Sequence, residues 1–229
     1  MQLFLASTSP ARLATLRASG IEPVVVPSEV DEDAVVAAAE AASGPLAAQD
    51  MVLLLARAKA EAVLGLDSVI EASSAAGPDG SHPGILILGG DSAFVLDGVI
   101  YGKPHTAEVA TTRWHAQRGH TGHLYSGHWL IHLIDGKPAP SGVGAGAGVG
   151  HTSVAEVSFA NDISDAEIDA YVASGEPLKV AGAFTIDSLG AAFIDQIVGD
   201  PSTVVGVSVP TVRRLARELD VEWPDLWNR

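Results

Sequence analysis

The most distinctive pattern in the chain is an unbroken apolar run, Ile85-Leu86-Ile87-Leu88, that stops at Gly89-Gly90 and delivers a carboxylate, Asp91. Four apolar residues without polar alternation suit a strand buried on both faces, and paired glycines suit a turn or a close backbone approach at its end. Asp91 is therefore expected where open α/β sheets hold ligands. Beyond it, Phe94-Val95-Leu96 and Val99-Ile100-Tyr101 flank Asp97-Gly98. That dipeptide predicts a two-residue hairpin, because a type I′ turn needs positive φ at both central residues. The hairpin is expected to carry Lys103 back toward the same end of the sheet.

Apolar and polar blocks elsewhere alternate between strand and helix patterns. Leu3 to Ala6 reads as a short buried strand, followed by a helix from Pro10 to Ser19 with Ser9 as cap, Pro10 in the first position and Gly20 as terminator. Ser7, Thr8 and Arg12 sit at that strand-to-helix junction, whose open backbone N–H groups suit a phosphate. From spacing alone, an ordinary capped helix with surface arginines is the more common arrangement. Pro23 to Val26 reads as a strand, Glu29 to Asp33 as an acidic loop, and Ala34 to Gly44 as a weakly patterned, mobile helix or loop. Leu46 to Leu64 follows a 3.6-residue period and predicts a long helix bearing Lys59.

Downstream, Thr106 caps a predicted helix over 107–117, and Thr121 to Ile134 reads as a long strand, bent at Ser126-Gly127, that pairs with a strand over 154–159. Ser164 with Glu167 forms a capping box for a helix closed by Gly175. Gly182 to Gly190 reads as a strand or loop exposing Asp187, with a strand over 191–198 after it, and Pro210 starts a last helix. The tail, with Trp223 and Trp227, is expected to cover apolar surface or a neighbouring subunit. Two stretches of loop composition, near 71–84 and 138–151, read as flexible insertions. No repeat is visible, and the chain 1–229 reads as a single α/β domain.

Composition narrows the chemistry. The 229 residues are 47% hydrophobic but 5% aromatic, so the core is built from Ala, Val, Leu and Ile. With 28 acidic against 13 basic residues the net charge is −15, which disfavours nucleic acid and anionic membranes as partners. The absence of cysteine excludes disulfides, thiolate nucleophiles and Cys-based zinc sites. The amino terminus carries no basic region or long apolar run, and the expectation is a cytoplasmic protein. The histidines do not form a metal site by spacing: His128 and His132 on one strand are about 13 Å apart at ~3.3 Å per residue. Ser141 to Gly150 lacks the spacing of a dinucleotide fingerprint. A lone Asp after a strand is more often a cap or turn residue than a catalytic group, and an acidic run is usually a solvated loop. If Glu29 to Asp33 folds toward Asp91, one of its carboxylates can join Asp91 in holding Mg²⁺.

Several blocks together carry a resemblance. Leu5-Ala6-Ser7-Thr8-Ser9-Pro10-Ala11-Arg12, Ala56-Arg57-Ala58-Lys59-Ala60, Gly90-Asp91-Ser92, Leu96-Asp97-Gly98 and Gly102-Lys103-Pro104 occur in that order. Ile168-Asp169-Ala170-Tyr171, Ser174-Gly175-Glu176-Pro177-Leu178, Ala181-Gly182-Ala183-Phe184 and Val204-Val205-Gly206 follow. The series resembles the Maf family of nucleoside-triphosphate pyrophosphatases, once described as septum-formation inhibitors. The resemblance implies a fold like that of inosine-triphosphate pyrophosphatases, an elongated mixed sheet with two lobes around a central cleft, and a homodimer. It implies Asp91 as proton acceptor, Ser7, Arg12, Lys59 and Lys103 as contacts to the triphosphate, and Glu32 with Asp91 at a Mg²⁺ or Mn²⁺ site.

The chain departs from the family pattern at three positions that separate base preferences. Ala11 stands where arginine is common, Ser92 where threonine is common, and Asp187 where glutamine is usual, so no base preference is carried over. The expected reaction is hydrolysis between the α- and β-phosphates, giving a nucleoside monophosphate and pyrophosphate, with a role in clearing non-standard nucleotides. Asp91 would orient or deprotonate water, directly or as a metal ligand. The competing reading is a nucleotide-binding regulator of cell division without turnover.

Overall fold

The computed structural model describes residues 1–77, 80–139 and 147–228. Of the two predicted insertions, residues 78, 79 and 140–146 lie outside the described residues. In chain order the elements are β1 (Gln2–Ala6), α1 (Pro10–Ala18), β2 (Val24–Val25), α2 (Glu32–Ser43), α3 (Ala48–Ala62) and α4 (Asp67–Ser73). Then come β3 (Ile85–Leu96), β4 (Val99–Tyr101), α5 (Ala107–Gln117), β5 (Thr121–Ile134), β6 (Lys137–Pro138) and β7 (Val149–Phe159). α6 (Asp165–Ala173), β8 (Ile194–Val198), α7 (Pro201–Val205) and α8 (Val209–Glu218) complete the chain, with short 3₁₀ turns between and after them.

Among the described residues eight strands form one mixed sheet, hydrogen-bonded in the order β2-β1-β3-β5-β7-β8, with β4 beside β3 and β6 beside β5. β1 runs parallel to β2 and β3, whereas the β3/β4, β5/β6 and β7/β8 pairs are antiparallel. The mixed sheet and the β5/β7 pairing agree with the sequence-based expectation. The chain divides into two compact units, residues 1–91, 127–152 and 209–229 in the first and 92–126 with 153–208 in the second.

In the first unit, Phe4, Ala6, Ile85, Ile87, Ile131 and Leu133 from the strands pack with Ala60 and Val69 from the helices and with Val63, which caps α3. In the second, Phe94, Trp114, Phe159 and Phe184 form an edge-to-face aromatic centre with ring centroids 5.0–5.8 Å apart. Such contacts add about 0.5–1.5 kcal/mol per pair beyond burial.

Local chemistry accounts for the predicted boundaries. Ser9 accepts from Arg12 N at the start of α1, and the Ser164/Glu167 capping box is present at α6. Asp97 and Gly98 take φ of 50° and 77°, the type I′ values, and Leu96 pairs with Val99 across the turn.

Several expectations are corrected, among them the strand over 191–198, of which only Ile194–Val198 is strand while Leu189–Phe193 is a 3₁₀ turn. β3 does not stop at Gly89-Gly90 but continues through Asp91 to Leu96, so Asp91 is inside a strand. Glu32 and Asp33 belong to the first turn of α2, capped by Asp31, rather than to a loop, while of the two alternatives for the residues that follow, helix or loop, the structure has the helix through Ser43. Glu71 to Ser73 end α4, and Pro201 to Val205 form α7, two helices that periodicity missed because each is short. β7 starts at Val149, five residues before the predicted start, so Val149 and Gly150 are strand rather than connection. Of the tail, Trp227 packs over Gly20, and Asn228 N donates to Gly20 O at 3.1 Å.

Candidate active site

β1 and β3 are paired from Gln2 with Ile85 to Ala6 with Gly89, where β1 ends. Asp91 therefore lies two residues beyond the last β1 partner, alongside the chain that leaves β1 for α1. Although Asp91 is not at the end of its own strand, it stands beyond the carboxyl end of a parallel neighbour, the position at which open sheets accept ligands.

The two glycines before it serve close approach rather than a turn. A Cβ at Gly89 would overlap the carbonyl oxygen of Ala56 and lie 2.8 Å from Ala60 N, so α3 rests directly on the strand. A Cβ at Gly90 would lie 3.3 Å from Arg12 Nε and 3.5 Å from Arg12 Cδ, so the arginine side chain runs along the strand at that point. One glycine admits the helix that carries Lys59 and the next admits Arg12.

The result is a compact set of charges. Lys59 Nζ donates to Asp91 Oδ1 at 2.7 Å and pairs with Glu32 Oε1 at 2.8 Å. The Lys59 and Asp91 side chains are 9% and 14% exposed, while Glu32 keeps 47%, so the pair with Asp91 is sheltered and Glu32 meets water. The sheltered pair makes the Coulomb interaction between Lys59 and Asp91 the stronger of the two.

Ser7 Oγ accepts from Arg12 Nη1 at 3.0 Å and from Ser9 N at 3.2 Å, which leaves its own proton to donate. Arg12 is buried, and burial pushes its pKa below the usual arginine value while the charges of Asp91 and Glu32 act in the opposite sense. A guanidinium remains protonated under such opposing influences, so Arg12 is a sheltered cation facing two carboxylates.

Of the residues singled out from the sequence, Ser7, Ala11, Arg12, Glu32, Lys59 and Asp91 lie in the first unit, and Ser92, Lys103 and Asp187 in the second. The structure joins Ser7 with Arg12, and Lys59 with both Glu32 and Asp91. Ala11 is half-buried on α1. Lys103 is exposed two residues past Tyr101, the β4 partner of Phe94, and Asp187 is exposed.

Ser92 Oγ lies 2.9 Å from Ser126 Oγ, which donates to Thr203 O at 2.8 Å. A hydroxyl has one proton, so Ser126 accepts and Ser92 is the donor of the pair. Ser126 and Thr203 are both buried; Thr203 stands where the family commonly has asparagine, whereas nothing in the local pattern of an isolated serine distinguishes Ser126.

Two of the histidines lie against backbone carbonyls: His128 Nδ1 is 3.3 Å from His151 O, and His132 Nε2 is 2.8 Å from Pro83 O.

The whole chain has close relatives. The family model described as Maf-like protein matches residues 2–219. A protein of Leifsonia xyli subsp. xyli named nucleoside triphosphate pyrophosphatase is 61% identical over 229 residues, covering 100% of this chain and 98% of its own. Proteins of the same name from Corynebacterium efficiens and Cutibacterium acnes are 42% and 46% identical. They cover 100% and 98% of this chain and 100% and 93% of their own lengths.

Proposed function

The chain belongs to the family of Maf-like proteins, and from that premise we propose that it is a nucleoside triphosphate pyrophosphatase whose catalytic centre is built around Asp91. The observation that supports this best is the cation of Lys59 held between Asp91 and Glu32 beside the buried guanidinium of Arg12. A hydrophobic side chain at residue 59 would pack the helix against β3 without the cost of desolvating charge, so the arrangement is better explained by a charged ligand than by stability.

In the proposed reaction the α–β phosphoanhydride bond is cleaved by water, releasing a nucleoside monophosphate and pyrophosphate. Asp91 orients or deprotonates that water, or ligates a metal, and in any of these roles needs its carboxylate ionised. Lys59 and Arg12 offset charge on the triphosphate, with Ser7 donating its remaining proton to a phosphate oxygen. Lys103 is assigned to the same triphosphate, and Ala11, Ser92 and Asp187 to base selection, by their match to the family pattern.

A divalent cation fits the donor set. Asp91 and Glu32 present hard carboxylate oxygens to one common point, now taken by Lys59 Nζ, and Mg²⁺ favours one or two carboxylates supplemented by waters and phosphates. Bound there, Mg²⁺ or Mn²⁺ would neutralise phosphate charge and act as a Lewis acid. The proposal extends to a cytoplasmic homodimer working as a single catalytic domain; among the described residues no helix is long and apolar enough to cross a membrane.

A panel of standard and modified nucleoside triphosphates with Mg²⁺ or Mn²⁺, read as pyrophosphate release, tests the reaction and the base together. Metal-dependent release from at least one member is expected. Saturable binding with no release from any member would replace this reading with a nucleotide-binding regulator.

A further inference from the structure

The densest polar cluster away from Asp91 is gathered on one carboxylate. Glu176 follows Gly175, whose φ of 78° turns the chain after α6, and it opens the 3₁₀ turn Glu176–Lys179. Its Oε1 accepts from Tyr171 OH at 3.0 Å, from Thr185 Oγ1 and from Gly190 N at 3.0 Å. Its Oε2 accepts from Ser188 Oγ at 2.7 Å and from Leu189 N at 3.2 Å.

Five donors saturate the roughly four lone-pair sites of a carboxylate. Four of the five come from residues 185–190, on both sides of Asp187, which is itself exposed. The segment is wound so closely that a Cβ at Gly190 would lie 2.6 Å from Thr185 O and 2.7 Å from the Tyr171 hydroxyl. Tyr171 is in turn held by the rings of Trp114 and Phe193, at centroid distances of 5.1 and 5.7 Å. These hydrogen bonds hold the Glu176 carboxyl well below its usual range, at about 2, against the opposing effect of burial.

We propose that Glu176 is a positioning residue for base selection, holding residues 185–190 in the single shape that presents Asp187 to the nucleobase without itself touching substrate. This rests on the pyrophosphatase reading and on the placement of Asp187 at the base. Only a carboxylate meets the demand. Glutamine has the same shape but replaces one acceptor with an NH₂ group, which would face donors.

The test compares wild type with Glu176→Gln, Glu176→Asp and Asp187→Asn. Two measurements are made on each: amide exchange at Leu189 and Gly190, and calorimetric Kd for the α,β-methylene triphosphates of adenosine, guanosine, cytidine and uridine. In Glu176→Gln, exchange at both amides is expected to accelerate at least tenfold, and the ratio of worst to best Kd to fall at least fivefold. kcat on the preferred hydrolysable substrate should stay within about threefold, the prediction being that base recognition and not the reaction step is lost. Glu176→Asp should recover part of the ratio, and Asp187→Asn should change it with the two amides still protected.

A Glu176→Gln protein that loses protection yet keeps the ratio overturns the proposal, as does equal binding of all four bases by wild type or an unchanged ratio in Asp187→Asn. If Glu176→Gln does not fold, Ser188→Ala removes one of the five bonds and must lower the ratio in the same direction. Absence of pyrophosphate release by wild type would remove the pyrophosphatase reading, and the Kd panel would still decide the part played by Glu176.

Discussion

Lys59 on α3 and Asp91 in β3 form a 2.7 Å ion pair across 32 residues of sequence because Gly89 lets the helix lie against the strand. The helix carries Ala56 and Ala60 at the point of contact, and the strand has no room there for a methyl group on residue 89. The charge arrangement is thus a consequence of backbone packing, and packing can be used to disturb it.

Gly89→Ala should be destabilising by about 3 kcal/mol, the upper end for overpacking, because the clash is with backbone and not with a flexible side chain. Urea denaturation reads the loss directly. Turnover per folded molecule should fall as well, since α3 must move away from β3 and take Lys59 with it.

Lys59→Met should separate the two jobs given to this ammonium. Losing a triphosphate contact is expected to cost about 2 kcal/mol or more in kcat/KM, on the order of thirtyfold. Mn²⁺ binding to the nucleotide-free protein, followed by calorimetry, should tighten, because Asp91 and Glu32 no longer share a cation. Weaker Mn²⁺ binding would contradict the shared-point arrangement.

Asp31→Ala should loosen Glu32. Asp31 caps α2 by accepting from Ala34 N at 3.0 Å, and α2 has no fully buried residue to hold it otherwise. Loss of such a cap costs about 1 kcal/mol, so the Mn²⁺ affinity should weaken about fivefold with faster amide exchange at Ala34.

Glu176 predicts an acid-side dependence. Its folded pKa lies at about 2 against 4.5 for an unperturbed glutamate, so ionised Glu176 favours the folded state above about pH 4.5. That contribution falls away as pH drops toward 2. The stability difference between wild type and Glu176→Gln, measured in urea at pH 7, 4.5 and 3, should therefore shrink with acidification.

Local signals in the sequence carried the caps and turns. Ser9, Thr106, the Ser164/Glu167 box and Asp97-Gly98 act within four residues, and their side chains decide the outcome without tertiary help. Glycines, by contrast, answer to distant neighbours. Gly89 makes room for α3, and Gly150 clears the ring of Trp129, so both are strand residues that composition alone presents as breaks or loop. α7 was hidden for a different reason: five residues cannot show a helical period.

The convergence of Glu32, Lys59 and Asp91 is long-range: the acidic run offers a carboxylate of residues 29–33 to Asp91 only on condition that it folds that way, and the resemblance singles out Glu32 and adds Lys59. Glu176 was visible merely as part of a motif, since its five donors are distributed between residues 171 and 190.

The central claim is that this chain cleaves the α–β bond of nucleoside triphosphates through Asp91. The direct measurement is product analysis for wild type and Asp91→Asn with Mg²⁺ or Mn²⁺, on the best substrate of the panel, with thermal melts to verify folding. Wild type is expected to yield nucleoside monophosphate and pyrophosphate in equal amounts, and Asp91→Asn to lose at least a thousandfold in turnover while melting as a folded protein. Undiminished pyrophosphate release from Asp91→Asn, or a diphosphate with inorganic phosphate as the wild-type products, would contradict the account.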